Sequence, residues 1–252
     1  MLTFERQELI LSLLKENQIV KIQQLVEETG ASESTIRRDL TELESQKRLK
    51  RVHGGASLIT KKLEEPSLLE KQSKYSAEKS AIGKYAASLV KDGDSVFIDA
   101  GTTTKTMAEY LRGKDIVVVT NGLNIITDLL DNGIKTYLLG GYVKAGTHAL
   151  IGRGAVESLN SYQFDKAFIG ANGADTDSGF TTPDPEEALI KSTAIDKANN
   201  AYVLADHSKF GDVSFSKIKN LNEAEIITSE KLDKELQDKY RKYTELKVVH
   251  IN

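Results

Sequence analysis

The sequence predicts an α/β chain in two parts. A small helical unit closed by a β-wing covers residues 1–58, and beyond a linker at 59–75 a three-layer α/β domain covers 76–252. Three observations lead there. Apolar residues in the first sixty positions recur at intervals of three and four, a Gly-Gly pair then separates two short extended arms, and the remainder alternates brief β-branched runs with segments of helical length. A chain of 252 residues has room for one small domain and one of medium size.

The first apolar stripe is Leu9, Ile10, Leu13 and Leu14, the second Ile22, Leu25, Val26 and Thr29, and the third Ile36, Leu40 and Leu43. Each marks a short amphipathic helix. Between the second and third, Gly30 supplies the positive φ that ends a helix, and Ser32 is a good N-cap for the next. Two helices joined by a short glycine-containing turn have the layout of a helix-turn-helix. Arg48-Leu49-Lys50-Arg51-Val52 and Ala56-Ser57-Leu58 then flank Gly54-Gly55 as the arms of a wing. Residues 60–74 turn polar and weakly patterned, with Pro66 placed to begin a helical piece. Beyond them come Val96-Phe97-Ile98, Ile116-Val117-Val118-Val119, Tyr137-Leu138-Leu139, Ala167-Phe168-Ile169, Tyr202-Val203-Leu204, Ile226-Ile227 and Val248-Val249. Short continuous runs of this kind suit strands covered on both faces of a mainly parallel sheet. The segments 76–90, 103–111, 123–130 and 186–198 have helical length.

Composition narrows the chemistry. With no cysteine, disulfides, thiolate metal sites and cysteine nucleophiles are excluded, and four scattered histidines show no ligand spacing, so neither a metal nor a cofactor is expected. No run approaches a membrane span and the first residues lack a signal-peptide layout, so a cytoplasmic protein is expected. The net charge of −3 conceals an uneven distribution. Residues 34–60 carry six basic and three acidic groups, whereas 1–33 carry three basic and six acidic. The excess positive charge therefore falls on the third helix and the wing. With Ile36, Leu40 and Leu43 facing inward, Ser34, Thr35, Arg37, Arg38 and Thr41 face outward. In a helix-turn-helix, the N-terminal part of the second helix enters the major groove. Arginine can donate two parallel bonds to guanine, hydroxyls can reach bases or phosphates, and Lys47, Arg48, Lys50 and Arg51 can neutralise the backbone.

In the second part, Asp99-Ala100-Gly101-Thr102-Thr103-Thr104 lies between a strand and a helix, where glycine and small hydroxyl residues leave backbone N–H groups open to a phosphate. It lacks the ending of a P-loop. Thr120-Asn121-Gly122, Gly140-Gly141, Gly170-Ala171-Asn172-Gly173 and Asp206-His207-Ser208-Lys209 follow other strands and would share the carboxyl edge of the sheet, where open α/β sheets bind ligands. Lys209 supplies a point charge suited to a phosphate.

Ser32-Glu33-Ser34-Thr35-Ile36-Arg37-Arg38-Asp39-Leu40, followed by Leu49-Lys50-Arg51-Val52-His53-Gly54-Gly55-Ala56, resembles the signature of DeoR-type transcriptional repressors. Asp99-Ala100-Gly101-Thr102-Thr103, Thr120-Asn121, Phe168-Ile169-Gly170-Ala171, Gly179-Phe180-Thr181-Thr182 and Ser208-Lys209-Phe210 resemble the effector domain of the same family. The resemblance implies a winged helix-turn-helix that places Ser34, Thr35, Arg37, Arg38, Arg51 and His53 on a double-stranded operator, with Asp39 orienting a side chain. It further implies a sensor domain, similar to ribose-5-phosphate isomerase, that holds a sugar phosphate through Asp99, Gly101, Thr102, Thr103, Thr120, Asn121, Gly140, Gly141, Asn172, Glu187 and Lys209. Within the family, Ile19-Val20-Lys21-Ile22-Gln23 with Ala31-Ser32-Glu33-Ser34 is most similar to regulators of fructose operons, which implies fructose 1-phosphate as effector. Tagatose 6-phosphate of a lactose system is the alternative. A sugar-phosphate isomerase with a DNA-binding extension is the rival from another class. The isomerase pattern Asp-Gly-Ala-Asp falls on Asn172-Gly173-Ala174-Asp175, one carboxylate having become an amide, and its expected glutamate base falls on Ser192. Binding without turnover is therefore expected, as is no membrane partner. Because one winged helix covers one half-site, a homo-oligomer, dimer or tetramer, is expected too.

Overall fold

A computed structural model describes residues 1–17, 19–46, 48–52, 54–58, 63 and 65–251. The chain divides into two units, Met1–Lys61 and Lys62–Asn252.

The first unit runs α1 (Thr3–Asn17), β1 (Ile19–Lys21), α2 (Ile22–Thr29), α3 (Glu33–Ser45), β2 (Leu49–Val52) and β3 (Gly55–Leu58). Its core gathers one face from each element: Ile10 and Leu14, Val20, Ile22 and Leu25, Ile36, Leu40 and Leu43, Leu49 and Ala56. Gly30 ends α2 in the left-handed region at φ 66°, its N–H donating to the Val26 carbonyl. The Ser32 side chain starts α3 by accepting from the Thr35 N–H. The wing is larger than two arms. Its antiparallel strands have the order β1-β3-β2, and β1, which the helical periods of the sequence hide, pairs Val20 with Ala56. Gly55 permits that approach, because a Cβ there would lie 2.2 Å from the Val20 carbonyl oxygen.

The second unit opens with α4 (Leu68–Ser73) and α5 (Ser76–Ser88). Residues 65–75, expected as linker, are thus in part folded within this unit: Ser67 and Glu70 form a reciprocal capping box at the start of α4. There follow β4 (Ser95–Ile98), α6 (Thr102–Lys105), β5 (Val117–Thr120), α7 (Ile126–Asp131), β6 (Lys135–Leu138), β7 (Tyr142–Lys144), β8 (Ala149–Ile151) and α8 (Arg153–Asn160). The rest comprises β9 (Phe164–Gly170), β10 (Gly173–Asp175), β11 (Gly179–Thr182), α9 (Pro185–Asp196), β12 (Ala198–Leu204), β13 (Ser216–Lys219), β14 (Glu225–Ser229), α10 (Lys234–Tyr240) and β15 (Leu246–Val249). Seven strands form a parallel sheet in the order β15-β14-β12-β9-β4-β5-β6.

Strand residues alternate between two cores, as a period of two requires. Phe97, Val119, Ile169 and Val203 pack with Ala155 and Leu159 of α8 and Ala194 of α9. Val96, Ile98, Val118, Phe168 and Leu204 pack on the other face with Ile82 and Ala86 of α5 and Leu129 of α7. Both faces are covered, which makes three layers. After β4 the strand order runs one way through β5 and β6, and from β9 it runs the other way through β12 and β14. The direction reverses between β4 and β9, and ligands of open α/β sheets bind at such a switch.

Candidate nucleic-acid interface and ligand crevice

The apolar positions of α3 (Ile36, Leu40, Leu43) are at most 1 % exposed, so Ser34, Arg37, Arg38 and Thr41 are turned to solvent, as the sequence periodicity predicts. Thr35 is half-buried, and its hydroxyl and that of Ser34 lie 2.9 and 3.0 Å from the Ser32 hydroxyl, so both take part in the cap. Arg37 donates to Glu33 Oε1 from Nε at 2.9 Å and Nη2 at 2.6 Å. An exposed pair of this spacing is worth at most about 0.5 kcal/mol, so a phosphate or base would displace it readily. Among the described residues Arg38 has no ion-pair or hydrogen-bond partner, leaving its guanidinium nothing to give up. Arg51 joins the wing to α3: Nη1 donates to Thr41 Oγ1 at 2.9 Å and its backbone N–H to Glu44 Oε1 at 2.8 Å. His53 and Lys47 lie outside the described residues. Asp39 orients a side chain, but that of Arg6 on α1 rather than an adjacent arginine, with Nε–Oδ2 at 2.5 Å and Nη2–Oδ1 at 3.2 Å.

At the switch, Asp99 is 1 % exposed and spans the two strands. Its Oδ2 accepts from the Gly170 N–H at 3.0 Å and from Lys191 Nζ at 2.5 Å. Thr104 Oγ1 secures the loop by donating to the carbonyls of Asp99 and Gly101. Gly101 and Gly170 keep its floor low, since a Cβ on Gly170 would stand 3.2 Å from Asp99 Oδ2. The helix expected over 103–111 breaks into the single turn α6 and a 3-10 turn over Thr106–Tyr110, so little macrodipole is available at Thr102 and Thr103. Thr103, Thr120 and Asn121 are buried and shape the rim rather than line it. Thr120 Oγ1 accepts from the Gly122 N–H, and Asn121 Oδ1 from the Ala100 N–H. Asn172 Oδ1 accepts from Thr182 Oγ1. Gly140 and Gly141 follow β6, two strands away from β4, and Gly141 serves packing: at φ 126°, a Cβ there would meet the Ile151 carbonyl oxygen at 2.5 Å.

Beside the switch lies a chain of charges that the sequence reading largely misses. Asp184 caps α9 through the N–H groups of Glu186 and Glu187, with Pro185 at the first helical position. Glu187 accepts from Thr147 Oγ1 at 2.7 Å and Lys144 Nζ at 3.0 Å. Lys144 also meets Glu65 at 2.6 Å and Asp184 at 2.9 Å, and Glu65 meets Lys71 at 2.7 Å. Lys79 Nζ donates to the Lys71 carbonyl. Burial opposes the charge on Lys144 and Lys191, but the surrounding carboxylates more than offset it and raise both ammonium groups. Burial wins at Lys71 and at Lys79, the latter falling to about 8, with repulsion from Lys209 and Lys71 assisting. Lys209 stands 4.0 Å from Asp206, whose Oδ2 is buried without a hydrogen-bond partner among the described residues. Lys71, Lys79 and Lys209 thus form a cationic group beside the carboxylate-lined switch, a setting for a molecule carrying both an anion and hydroxyl groups. Among the described residues no group of three or more histidines and carboxylates is placed to hold a metal. Glu187 is among the residues the sequence reading names; the spacing of Lys191 one helical turn beyond it on α9 is the one sequence signal that could have added Lys191.

A helix-turn-helix with a basic recognition helix and wing, joined to an α/β unit with buried charged side chains at its switch point, defines a DNA-binding regulator with a sensor domain. Residues 6–62 match the DeoR-like helix-turn-helix domain and residues 74–231 the DeoR C-terminal sensor domain; the chain belongs to the DeoR family of transcriptional regulators. It is 50 % identical over 250 residues to the HTH-type transcriptional regulator FruR of Bacillus subtilis, covering 99 % of both chains. It is 32 % identical to a lactose phosphotransferase system repressor of Staphylococcus epidermidis, covering 96 % of this chain and 98 % of that one. Among solved structures, ribose 5-phosphate isomerase A of Neisseria gonorrhoeae aligns with a TM-score of 0.40 at 18 % identity, covering 54 % of this chain and 53 % of that one. No described helix is long and apolar enough to cross a membrane.

Proposed function

We propose that the protein represses a fructose-utilisation operon in the cytoplasm and is released from its operator by a sugar phosphate, fructose 1-phosphate before others, bound without turnover. The observation that carries the reading is the lysine group Lys71, Lys79 and Lys209 beside the Asp99–Lys191 pair at the switch point. The full-length likeness to FruR supports the fructose system, and the lactose-system relative makes tagatose 6-phosphate the second ligand to try. The sensor residues are Asp99, Gly101, Thr102, Asn172, Glu187 and Lys209 together with Lys71 and Lys79, and the operator residues Ser34, Thr35, Arg37, Arg38 and Arg51. Glu187 is held by Lys144 and Thr147, which leaves it poorly placed as a proton-transfer base. The protein works as a homo-oligomer, one winged helix per half-site. Release follows from linkage: a ligand that binds the DNA-free state better weakens the grip on DNA, and DNA weakens ligand binding equally.

A thermal-shift panel of hexose monophosphates with inorganic phosphate as control tests the sensor. Fructose 1-phosphate should raise the melting temperature most and lower operator affinity. No shift with any sugar phosphate, or aldose–ketose turnover, would overturn the reading.

Arg38→Ala should weaken operator binding by about 1–3 kcal/mol, roughly 5- to 150-fold, and relax specificity at one base position, with the melting temperature unchanged. Fluorescence anisotropy on the operator and single-base variants reads both. Affinity equal to that of the parent would place Arg38 off the interface.

Ligand affinity should also depend on pH. The Lys79 ammonium titrates at about 8 in the free protein, chiefly through burial, and a bound phosphate dianion raises it. Binding therefore takes up a proton above pH 8, and affinity falls as pH rises, by up to tenfold per unit. Below pH 8 it stays level down to about 6, where the phosphate itself takes up a proton. Calorimetric titration from pH 6 to 10 checks this, and Lys79→Gln should flatten the alkaline limb.

A further inference from the structure

We propose that Glu65 is a resident anion of the sensor site: in the free protein its carboxylate occupies the lysines that bind the ligand's phosphate, and the phosphate displaces it. The proposal rests on the reading of the second unit as a sugar-phosphate sensor and names the site's phosphate-binding residues and its built-in competitor. Glu65 bridges two ammonium groups, Oε1 to Lys71 at 2.7 Å and Oε2 to Lys144 at 2.6 Å. Two oxygens of one anion held by two lysines is also how a phosphate monoester would sit there. The side chain is 13 % exposed, those of Lys71 and Lys144 are 19 % and 22 % exposed, and water therefore does little to replace a lost partner. Lys144 would keep Asp184 and Glu187, but Glu65 is the only carboxylate within ion-pair distance of Lys71 among the described residues. Removing Glu65 with nothing in its place would strand a half-buried ammonium, whereas exchanging one anion for another leaves it neutralised. Exchange is the low-cost route.

The position of Glu65 in the chain gives the exchange a consequence. It is the fourth residue of the second unit, counted from the boundary after Lys61, and only Pro66 and Ser67 separate it from α4. Its two ion pairs tie this segment to α4 and to β7. A phosphate that takes both lysines unties the segment leading back to the DNA-binding unit, so occupancy of the site and the tether of the linker become mutually exclusive. Ligand binding and operator binding are then coupled through a competition for two ammonium groups.

Calorimetry of the full-length protein with inorganic phosphate and with fructose 1-phosphate, parent against Glu65→Gln, tests the idea. With its competitor uncharged, the variant should bind both probes at least fivefold more tightly, and Lys71→Met should lose most of the affinity. Hydrogen exchange of the parent gives a readout that needs no variant: adding fructose 1-phosphate should raise exchange in peptides spanning 65–71 while lowering it in those of α9. Unchanged or weaker binding by Glu65→Gln, or protection gained at 65–71, while the parent binds the probes, would overturn the proposal and leave the sensor reading standing. Failure of the parent to bind any hexose monophosphate would remove the sensor reading and the proposal with it.

Discussion

Replacing Asp39 with alanine is expected to unfold the DNA-binding unit. Arg6 and Asp39 form a two-pronged pair between α1 and α3, and the residues are 8 % and 1 % exposed. The Asp39 hydrogen bond holds the Arg6 guanidinium above its ordinary range against the opposing effect of burial. Removing the carboxylate leaves a charge in the interior with nothing to neutralise it, a loss of about 3–5 kcal/mol. A unit of this size has a total stability on the order of 5 kcal/mol, so the variant should be largely unfolded over its first sixty residues and unable to bind the operator. Hydrogen exchange separates this from a lost DNA contact: protection should collapse in peptides from α1, α2 and α3 and persist in those from β9 and β12. The double variant Arg6→Met with Asp39→Leu should recover much of the protection, because the buried charge has gone with its partner. A single variant that retained full protection would show that solvent reaches the pair.

The parts of the chain legible in the sequence are those whose signals are local. Ile36, Leu40 and Leu43 mark a buried face by spacing alone, Gly30 and Ser32 punctuate it, and all five sit where that pattern puts them. The apolar runs mark the inner strands of the parallel sheet for the same reason, since burial on both faces leaves no room for polar residues, whereas in the edge strand β6 the run 137–139 is not covered as expected, Tyr137 and Leu138 being 42 % and 39 % exposed. The strand β1 was hidden because three residues are too few to show a period and its partner lies more than thirty positions away. The small sheet β10-β11-β13 is likewise built from short strands with a partner far along the chain. At the switch point, Asp99 was legible because it directly follows β4, and Lys209 because it lies in the short turn that comes after β12. Lys71, Lys144 and Glu65 were not, because a lysine in a polar stretch looks like any solvated lysine until the chain brings a carboxylate to it. Thr103, Thr120 and Asn121 show the converse: their residue types suit ligand contact, but all three are buried, and the side chains of Thr120 and Asn121 are spent on holding the loops.

Lys191→Met should be nearly as damaging to the sensor unit, about 3–5 kcal/mol, because it strands the Asp99 carboxylate where solvent scarcely reaches. One hydrogen bond would remain to it, from the Gly170 N–H, and a single backbone donor does not replace an ammonium 2.5 Å away. Pairing the substitution with Asp99→Leu removes the stranded charge but leaves the Gly170 N–H without its acceptor, a residual cost of about 1–3 kcal/mol. Recovery should therefore be incomplete, unlike that at Arg6 and Asp39, whose carboxylate oxygens are both occupied by the guanidinium. Chemical denaturation followed by far-ultraviolet circular dichroism reads the three values. The difference between the two double variants separates a pair that only holds helices together from one that also fixes the gap between β4 and β9. If both double variants recovered equally, Asp99 would be a packing element alone. If the Asp99 pair recovers less, the carboxylate sets the geometry of the switch point, and hydrogen exchange should show the 99–104 loop losing protection before the strands that flank it.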